Sequence, residues 1–276
     1  MISIITPVYN GDRFIESCIK VVIDQACSDI EHIIVDGGST DRTLEIVQHY
    51  AEKYPHIRWI SEKDRGQSDA MNKGIALAKH KIIGFFNVDD YYEPNVLNRV
   101  KELFQNLPEP TLLVGNCNVW LDSGKLKYVN KPSKLKLVQL LAERNFPVNP
   151  VAYFYHKSLH EKIGLYSLEE KYVMDVIFIF EAVQAATVKY VDETWGNYRY
   201  ITGSKTYDNV SESFQNYDRI VSQYINKLSP IEKVLLVWEY LNIRLRYFIE
   251  YPDKLSSSIK VRLNKIFGQN SPKNTK

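Results

Sequence analysis

The chain has 276 residues, 45% of them hydrophobic, which is enough for one large α/β domain, alone or with an appendage. Its formal net charge is only +2, and the basic residues are spread along most of the sequence, so we expect no nucleic-acid partner. The cysteines Cys18, Cys27 and Cys117 lie outside any Cys-x-x-Cys pattern, which argues against a zinc site and favours reduced thiols. No basic leader precedes the first apolar run, and every stretch of about 18 residues contains a charge. We therefore expect a cytoplasmic protein with neither a signal peptide nor a transmembrane helix.

Short β-branched runs alternate with helical patterns in the first half of the chain. The predicted strands cover residues 2–5, 32–35, 57–60 and 82–86. The predicted helices cover residues 13–22, the segment from a cap at Ser39 or Thr40 to about Tyr50, residues 67–79, and a segment that has Pro94 just inside its start. Alternation of this kind predicts βαβ units and a mostly parallel sheet.

The second half of the chain is less regular. Strands are predicted at residues 111–120, 151–155 and 188–191, and helices at residues 134–144, at 175–186 and from Pro230 onward, with a break at Pro252. We place a boundary near residue 208, so that residues 1–208 form an α/β domain and residues 209–276 form a helical C-terminal appendage.

Polar segments follow the predicted strands of the first half. They are residues 6–10, 36–38, 62–66 and 87–90, and three of the four carry carboxylates. In an open parallel sheet, ligands bind beyond the carboxyl ends of the strands, so these segments converge on one edge. Carboxylate oxygens are suitable ligands for Mg²⁺ or Mn²⁺, and the edge therefore predicts a nucleotide site with a hard metal ion.

Four segments at this edge carry a family resemblance. TPVYN (6–10), VDGGSTDRT (35–43), DRGQSDAMNKGI (64–75) and GFFNVDD (84–90) resemble, in order and spacing, the signature segments of family 2 glycosyltransferases with the GT-A fold. The resemblance extends more weakly to about residue 208. It implies a Rossmann-like, mostly parallel sheet flanked by helices, with a nucleotide-sugar-binding half at residues 1–110 and an acceptor half at residues 111–208.

The resemblance also implies roles for the donor-side residues. Asp36 contacts the nucleotide base, usually uracil, and Asp89 is the last carboxylate of the family's DXD motif, which binds Mn²⁺ or Mg²⁺ between the phosphates. Asn87 stands where many members have the first Asp, and Ile201 where they have a His near the diphosphate. We expect the neighbouring Asp90 to cap the next helix. The full donor-binding set is Pro7, Tyr9, Asp36, Asp69, Asn72, Asn87, Val88, Asp89, Arg199 and Lys205.

On the acceptor side, Met174-Asp175 matches the start of the family's (E/M)D-x-D-L-W pattern, although Ile177 replaces the second Asp. Asp175 is therefore the candidate general base of an inverting reaction, taking a proton from the attacking acceptor hydroxyl. The start of a helix favours the ionised form of such a carboxylate. Asn149-Pro150 resembles the segment that forms the floor of the acceptor pocket.

The implied reaction transfers a sugar from a UDP-sugar to a glycan or a lipid-linked saccharide. One alternative is a nucleotidyltransferase that makes nucleotide sugars, which would normally carry a Gly-rich basic loop after the first strand. Another is a non-catalytic saccharide-binding or scaffold protein on the same fold. We expect His156 and His160 at the surface, without a role. The segment Asp253–Lys276 has six Lys or Arg and one acidic residue, and we expect it to contact an anionic membrane surface, the core of the protein or a second subunit.

Overall fold

The computed structural model of the chain describes residues 1–250, apart from the side chains of residues 205–206 and 248–250. The predicted break at Pro252 and the basic segment Asp253–Lys276 lie outside the described residues. Within residues 1–250, every helix is too short or too polar to span a bilayer.

One mixed sheet organises this part of the chain. Its strands are β1 (Ile2–Val8), β2 (Ile30–Asp36), β3 (Ile57–Ser61), β4 (Ile82–Phe85), β5 (Tyr91–Tyr92), β6 (Thr111–Leu121), β7 (Leu126–Asn130), β8 (Tyr153–His156) and β9 (Thr187–Tyr200). Their order is β3-β2-β1-β4-β8-β6-β9-β5, and β7 pairs with β6. The β1–β2, β2–β3, β1–β4 and β6–β9 ladders are parallel, while β8 runs antiparallel between β4 and β6.

Helices flank the sheet. They are α1 (Asp12–Asp24), α2 (Thr43–Lys53), α3 (Gln67–Leu77), α4 (Val96–Phe104), α5 (Leu137–Glu143), α6 (Leu159–Ile163), α7 (Met174–Ala185), α8 (Lys205–Asp208), α9 (Val210–Lys227) and α10 (Pro230–Glu250), with a 3-10 turn at Pro150–Ala152. The predicted fold class is confirmed: helices pack around a mostly parallel sheet, and helices form the C-terminal end of the described chain.

The central strands are apolar along their length because both of their faces are covered. Six of the seven residues of β1 are buried, and α1 packs against the sheet through Ile15, Cys18, Ile19 and Val22, which recur at helical spacing. Contacts are close where α3 crosses β1, since a Cβ placed on Gly74 would lie 2.3 Å from Ile5 Cγ2. Glycine at this position therefore brings α3 down onto the sheet.

The C-terminal helices share the main core. Tyr217, Ile220 and Val221 of α9 and Leu236 of α10 belong to the same buried cluster as residues of β1 and α7. The division near residue 208 stays a prediction, but the helices on its far side are packed into the core and are not a separate layer.

Several predicted helix starts and strand ends are wrong, each for a local reason. Helix α2 begins at Thr43 because Ser39 and Thr40 are held by Asp36 and Asn10 instead of capping it. Pro94 precedes α4, whose first residue is Val96.

In the second half, a 3-10 turn capped by Asn149 replaces the first residues of the strand predicted at 151–155. Strand β9 continues to Tyr200, far beyond residue 191, because it pairs with β6 over the whole length of that strand.

Both histidines that we expected at the surface are interior residues. His156 is buried, and its Nδ1 accepts a hydrogen bond from the Thr111 amide at 3.0 Å. His160 is half-buried between the Tyr155 hydroxyl and the Gly164 carbonyl. Burial lowers the pKa of each imidazole, so both are neutral packing residues.

Candidate active site

The loops that follow β1 and β2 are joined to each other at the carboxyl edge of the sheet. The Asn10 amide donates to Ser39 Oγ at 2.7 Å, and the Thr40 amide donates to Asn10 Oδ1 at 2.9 Å. The Gly11 amide donates to Thr43 Oγ1 at 2.8 Å. These bonds fix the shape of the first polar segment. The side chain of Tyr9 is left 64% exposed beside it, available to a ligand.

Asp36 is buried at the end of β2 and organises the second polar segment. Its carboxylate accepts hydrogen bonds from the amides of Gly38 and Ser39 at 3.2 and 3.1 Å and from Ser61 Oγ at 2.6 Å. Pro7 pairs with Val35 on the neighbouring strand. The structure therefore places Pro7, Tyr9 and Asp36 close together, at the carboxyl ends of β1 and β2 and in the loop that follows β1.

Asp69 and Asn72 lie on α3, above the third polar segment. Asp69 accepts from the Arg65 amide at 3.0 Å and lies 3.6 Å from Lys73 Nζ. The side-chain amide of Asn72 makes two hydrogen bonds to the backbone of Tyr166. Its Nδ2 donates to the Tyr166 carbonyl at 2.8 Å, and its Oδ1 accepts from the Tyr166 N–H at 3.0 Å. Asn72 thus connects α3 to the chain segment before α7, a role that the sequence pattern does not reveal.

Asp90 is the buried centre of the fourth polar segment. Its Oδ2 accepts from Asn149 Nδ2 at 2.9 Å and from Asn87 Nδ2 at 3.0 Å, and its Oδ1 accepts a longer bond from the Arg199 amide at 3.4 Å. The Asn149 amide cannot turn round, because its Oδ1 accepts from the Val151 amide at 2.8 Å. The expectation that Asp90 caps a helix is wrong, since α4 begins at Val96 after Asn95.

Asp89 and Asp90 are adjacent carboxyl groups, and the pKa of each is raised. Burial raises the pKa of Asp90 well above its ordinary value, and the nearby Asp89 charge adds to this, while the N–H donors of Asn87, Asn149 and Arg199 oppose it. Burial also raises the pKa of Asp89, against the charge of Arg199. Each donor around Asp90 is an N–H group, so the surroundings are built for a carboxylate.

Asp89 is the carboxylate available to a metal ion. It is half-buried, and its backbone carbonyl accepts a hydrogen bond from Arg199 Nε. Within residues 1–250, no three His, Cys, Asp or Glu side chains converge as a complete set of ligands. Magnesium-type sites with one or two carboxylates complete their shell with substrate phosphates and water, and Asp89 fits that pattern. Val88 faces the other way, toward Gly11.

A cavity of about 420 Å³ opens beside Arg199, at the start of α1. The guanidinium carbons of Arg13 and Arg199 lie 4.8 and 5.2 Å from the ring centre of Phe14. Ile201 lines the same cavity, and Thr202 is fixed by two hydrogen bonds to Asp122. Two guanidinium groups beside an open cavity suit an anionic ligand.

The sequence analysis does not identify Arg13 as a site residue. The available signal is its position, one helical turn after the first polar segment and next to the aromatic Phe14. The backbone of Lys205 starts α8, but the side chain of this predicted donor residue lies outside the described part of the structure.

On the acceptor side, Asp175 lies in the first turn of α7 and is half-buried, with its Oδ1 accepting from the Val176 amide at 2.8 Å. Burial and then the Asp175 charge raise the pKa of the neighbouring Tyr153 well above its ordinary value. Met174 is buried beside it. Asn149 and Pro150, predicted as the acceptor floor, are both buried, and Asn149 donates to the donor-side residue Asp90.

Comparison with known sequences gives a consistent result. The profile of Glycosyl transferase family 2 matches residues 3–164. The chain is 32% identical over 212 residues to the protein named uncharacterized glycosyltransferase EpsJ of Bacillus subtilis, covering 72% of this chain and 61% of that protein. It is 36% identical over 117 residues to the uncharacterized glycosyltransferase YibD of Escherichia coli, covering 42% of this chain and 33% of that protein. The chain therefore spans less than two thirds of the length of these relatives.

Solved structures share the fold at low sequence identity. Staphylococcus aureus TarS, residues 1–349, in complex with UDP-GlcNAc superposes with a TM-score of 0.67 at 18% identity, covering 96% of this chain and 78% of that chain. The mannosyltransferase PcManGT from Pyrobaculum calidifontis, in complex with GDP-Man and Mn²⁺, gives a TM-score of 0.58 at 16% identity, covering 95% of this chain and 78% of that chain. At these identities the likeness establishes the fold.

Replacing Asp90 with Ala tests its role as the buried centre. We expect Asp90→Ala to lower the free energy of unfolding by about 2–3 kcal/mol, because the Asn87 and Asn149 amides lose their acceptor in the interior. Relief of the cost of burying the charge offsets part of the loss. Urea unfolding at pH 7 measures the change. The exposed Asp24→Ala is the control and should stay within about 0.5 kcal/mol of the wild type. Equal stability of the two variants would contradict this role.

Proposed function

We propose, from the premise that this chain belongs to glycosyl transferase family 2, that it transfers a sugar from a UDP-sugar to a hydroxyl of a glycan or a lipid-linked saccharide. The observation that carries the proposal is the arrangement around Asp89. A half-buried carboxylate stands at the carboxyl edge of the parallel strands, with the Arg199 side chain on its backbone and a cavity lined by Arg13 beyond it. The two guanidinium groups suit a diphosphate bound through a divalent ion at Asp89, and Asp122, the acidic residue of the cavity lining, is held by Thr202.

Each charge has a part in this arrangement. Asp89 would hold Mn²⁺ or Mg²⁺, and such an ion would supply positive charge to the leaving diphosphate. The presence of GDP-Man and Mn²⁺ in the PcManGT complex supports this choice of metal. Arg199 and Arg13 donate hydrogen bonds to phosphate oxygens from the open side. They supply the positive charge that other members obtain from the His at the position of Ile201. We add Lys205, the first residue of α8, to this set on the sequence resemblance alone.

The nucleoside lies along the first and second polar segments. Pro7 and the exposed ring of Tyr9 form an apolar platform for the base. Asp36 fixes the Gly38–Ser39 backbone and accepts from the base imide. We assign Asp69 to the donor ribose, with Asn87 and Val88 preceding the metal ligand Asp89 in the chain. The TarS complexes with UDP and with UDP-GlcNAc support uridine as the base.

Asn72 contributes to the same side indirectly. Its amide is occupied by the Tyr166 backbone, so it positions α3, and with it Asp69, relative to the acceptor half. This assigns to Asn72 a positioning role and no contact with the sugar.

Asp175 serves as the general base of an inverting displacement. The ionised carboxylate takes the proton of the acceptor hydroxyl while that oxygen attacks the anomeric carbon from the side opposite to the diphosphate. The start of α7 favours its ionised form. Met174 shapes the acceptor side, and Asn149-Pro150 joins that side to Asp90. Free Cys18, Cys27 and Cys117 are consistent with action in the cytoplasm.

Nucleotide binding is tested by thermal unfolding with UDP, GDP, dTDP or CMP, with and without Mn²⁺. A ligand at about 100 times its dissociation constant stabilises the protein by roughly 2.7 kcal/mol. For a chain of this size that is a rise in Tm of about 5 °C. We expect the rise with UDP, dependent on Mn²⁺ and lost in Asp89→Ala.

Two controls sharpen this experiment. Asp24→Ala should keep the full shift, and Arg13→Gln should reduce the response to UDP without changing the response to uridine, which lacks phosphate. If no nucleotide raises Tm, the donor site is wrong and a non-catalytic saccharide-binding protein becomes the better account.

The role of Asp175 is tested by Asp175→Asn, which keeps the size of the side chain but cannot accept the proton. We expect UDP release in the presence of a competent donor and acceptor to fall by about 10²–10⁴-fold. The UDP-dependent rise in Tm should be unchanged, because Asp175 does not touch the nucleotide. A variant with full activity would assign the proton transfer to another group.

Inversion is tested separately by NMR of the anomeric proton of the product. Retention of the donor configuration would reject inversion.

A further inference from the structure

Helix α10 carries an unusual surface of large apolar side chains. We call this surface the α10 stripe and define it as Ile231, Val234, Leu235, Trp238, Leu241 and Leu245. Ile231 is 74% exposed, Trp238 61% and Leu245 58%. Single exposed apolar residues are ordinary on protein surfaces, but six on one helix form a continuous patch of the kind that marks an interaction site.

The stripe is not needed for the packing of α10. At about 100° per residue, its members fall within one arc of the helix surface. Leu236 and Ile243 point to the opposite side, where Leu236 is fully buried in the main core, and the Tyr240 hydroxyl donates to the Leu141 carbonyl at 3.2 Å. The helix is thus apolar on two faces and buries one. From Ile231 to Leu245 the open face extends for about 21 Å.

The charges around the stripe indicate what covers it. Lys233 and Arg244 lie on one flank, and Glu232, Glu239 and Arg246 lie on the other. With Glu250, the helix has three basic and three acidic residues and therefore no net charge. The sequence directly after it is different, because Asp253–Lys276 has six Lys or Arg against one acidic residue. An apolar helix face that is followed in sequence by a strongly basic segment is complementary to a partner with an apolar interior and an anionic surface layer.

We propose that the α10 stripe docks on an anionic phospholipid surface, with α10 lying in the plane of the interface. Helices of this type bury their apolar face about 5–10 Å into the boundary between headgroups and acyl chains, and basic residues hold them by attraction to anionic lipid. Trp238, in the middle of the stripe, is the side chain that favours this depth. A second copy of the chain fits the charge less well, because it brings the same basic segment and adds like charge.

This docking does not depend on the donor chemistry proposed above. If both proposals hold, docking confines the protein to the membrane surface, where a lipid-linked saccharide acceptor is also confined.

The test uses the full chain and vesicles of phosphatidylcholine, with or without phosphatidylglycerol. We expect the wild type to cosediment with the anionic vesicles at least ten-fold more strongly than with the neutral ones. The double variant Leu241→Glu, Leu245→Glu should lose at least ten-fold of this binding. Leu165→Glu, at a site that is 59% exposed and remote from the stripe in sequence, is the matched control and should bind like the wild type.

A second measurement reports on the stripe directly. Vesicles should shift the tryptophan emission of the wild type to shorter wavelength, and Trp238→Phe should abolish most of that shift while Trp59→Phe does not. Equal vesicle binding by the double variant and the control would overturn the proposal. So would a dimer in sedimentation velocity that the double variant dissociates, because a second copy would then cover the stripe. The UDP-dependent rise in Tm should be the same in all these variants, which separates failure here from failure of the donor site.

Discussion

The hydrogen bonds to the buried Asp90 carboxylate are the interaction on which the site depends. They join three distant parts of the chain: the end of β4 through Asn87, the turn before β8 through Asn149, and β9 through the Arg199 backbone. A buried carboxylate surrounded by N–H donors tolerates little displacement, because each lost bond leaves a polar group unpaired. The neighbouring Asp89 is therefore held at the sheet edge by a centre that is itself buried.

The same centre links the two halves of the domain. The donor half supplies Asp89 and Asp90, while Asn149 and Arg199 come from the half that we assign to the acceptor. Asn72 makes a second link, from α3 to the backbone of Tyr166. These two links connect the donor-side segments to the half of the domain that contains Asp175.

Sequence alone predicted the parts whose signal is local. The alternation of apolar runs gave the central strands and helices, and the four polar segments gave the family, which is confirmed. The sequence pattern does not predict contacts between residues that are distant along the chain. The local pattern favours a helix cap at Asp90, because its partner Asn149 lies 59 positions away. The same pattern predicts too short a strand at β9, because the length of β9 depends on pairing with β6. The α10 stripe was equally hidden, since helical periodicity shows that a face is apolar but not whether it is covered.

The most direct test of this account is a crystal structure of the chain with UDP and Mn²⁺, with data collected at the manganese absorption edge. The account predicts one strong anomalous peak bound to the Asp89 carboxylate and to the diphosphate, with the uracil ring beside Tyr9 and the phosphates facing Arg199. A peak on other carboxylates, or a nucleotide bound away from the carboxyl edge of β1, β2 and β4, would contradict it.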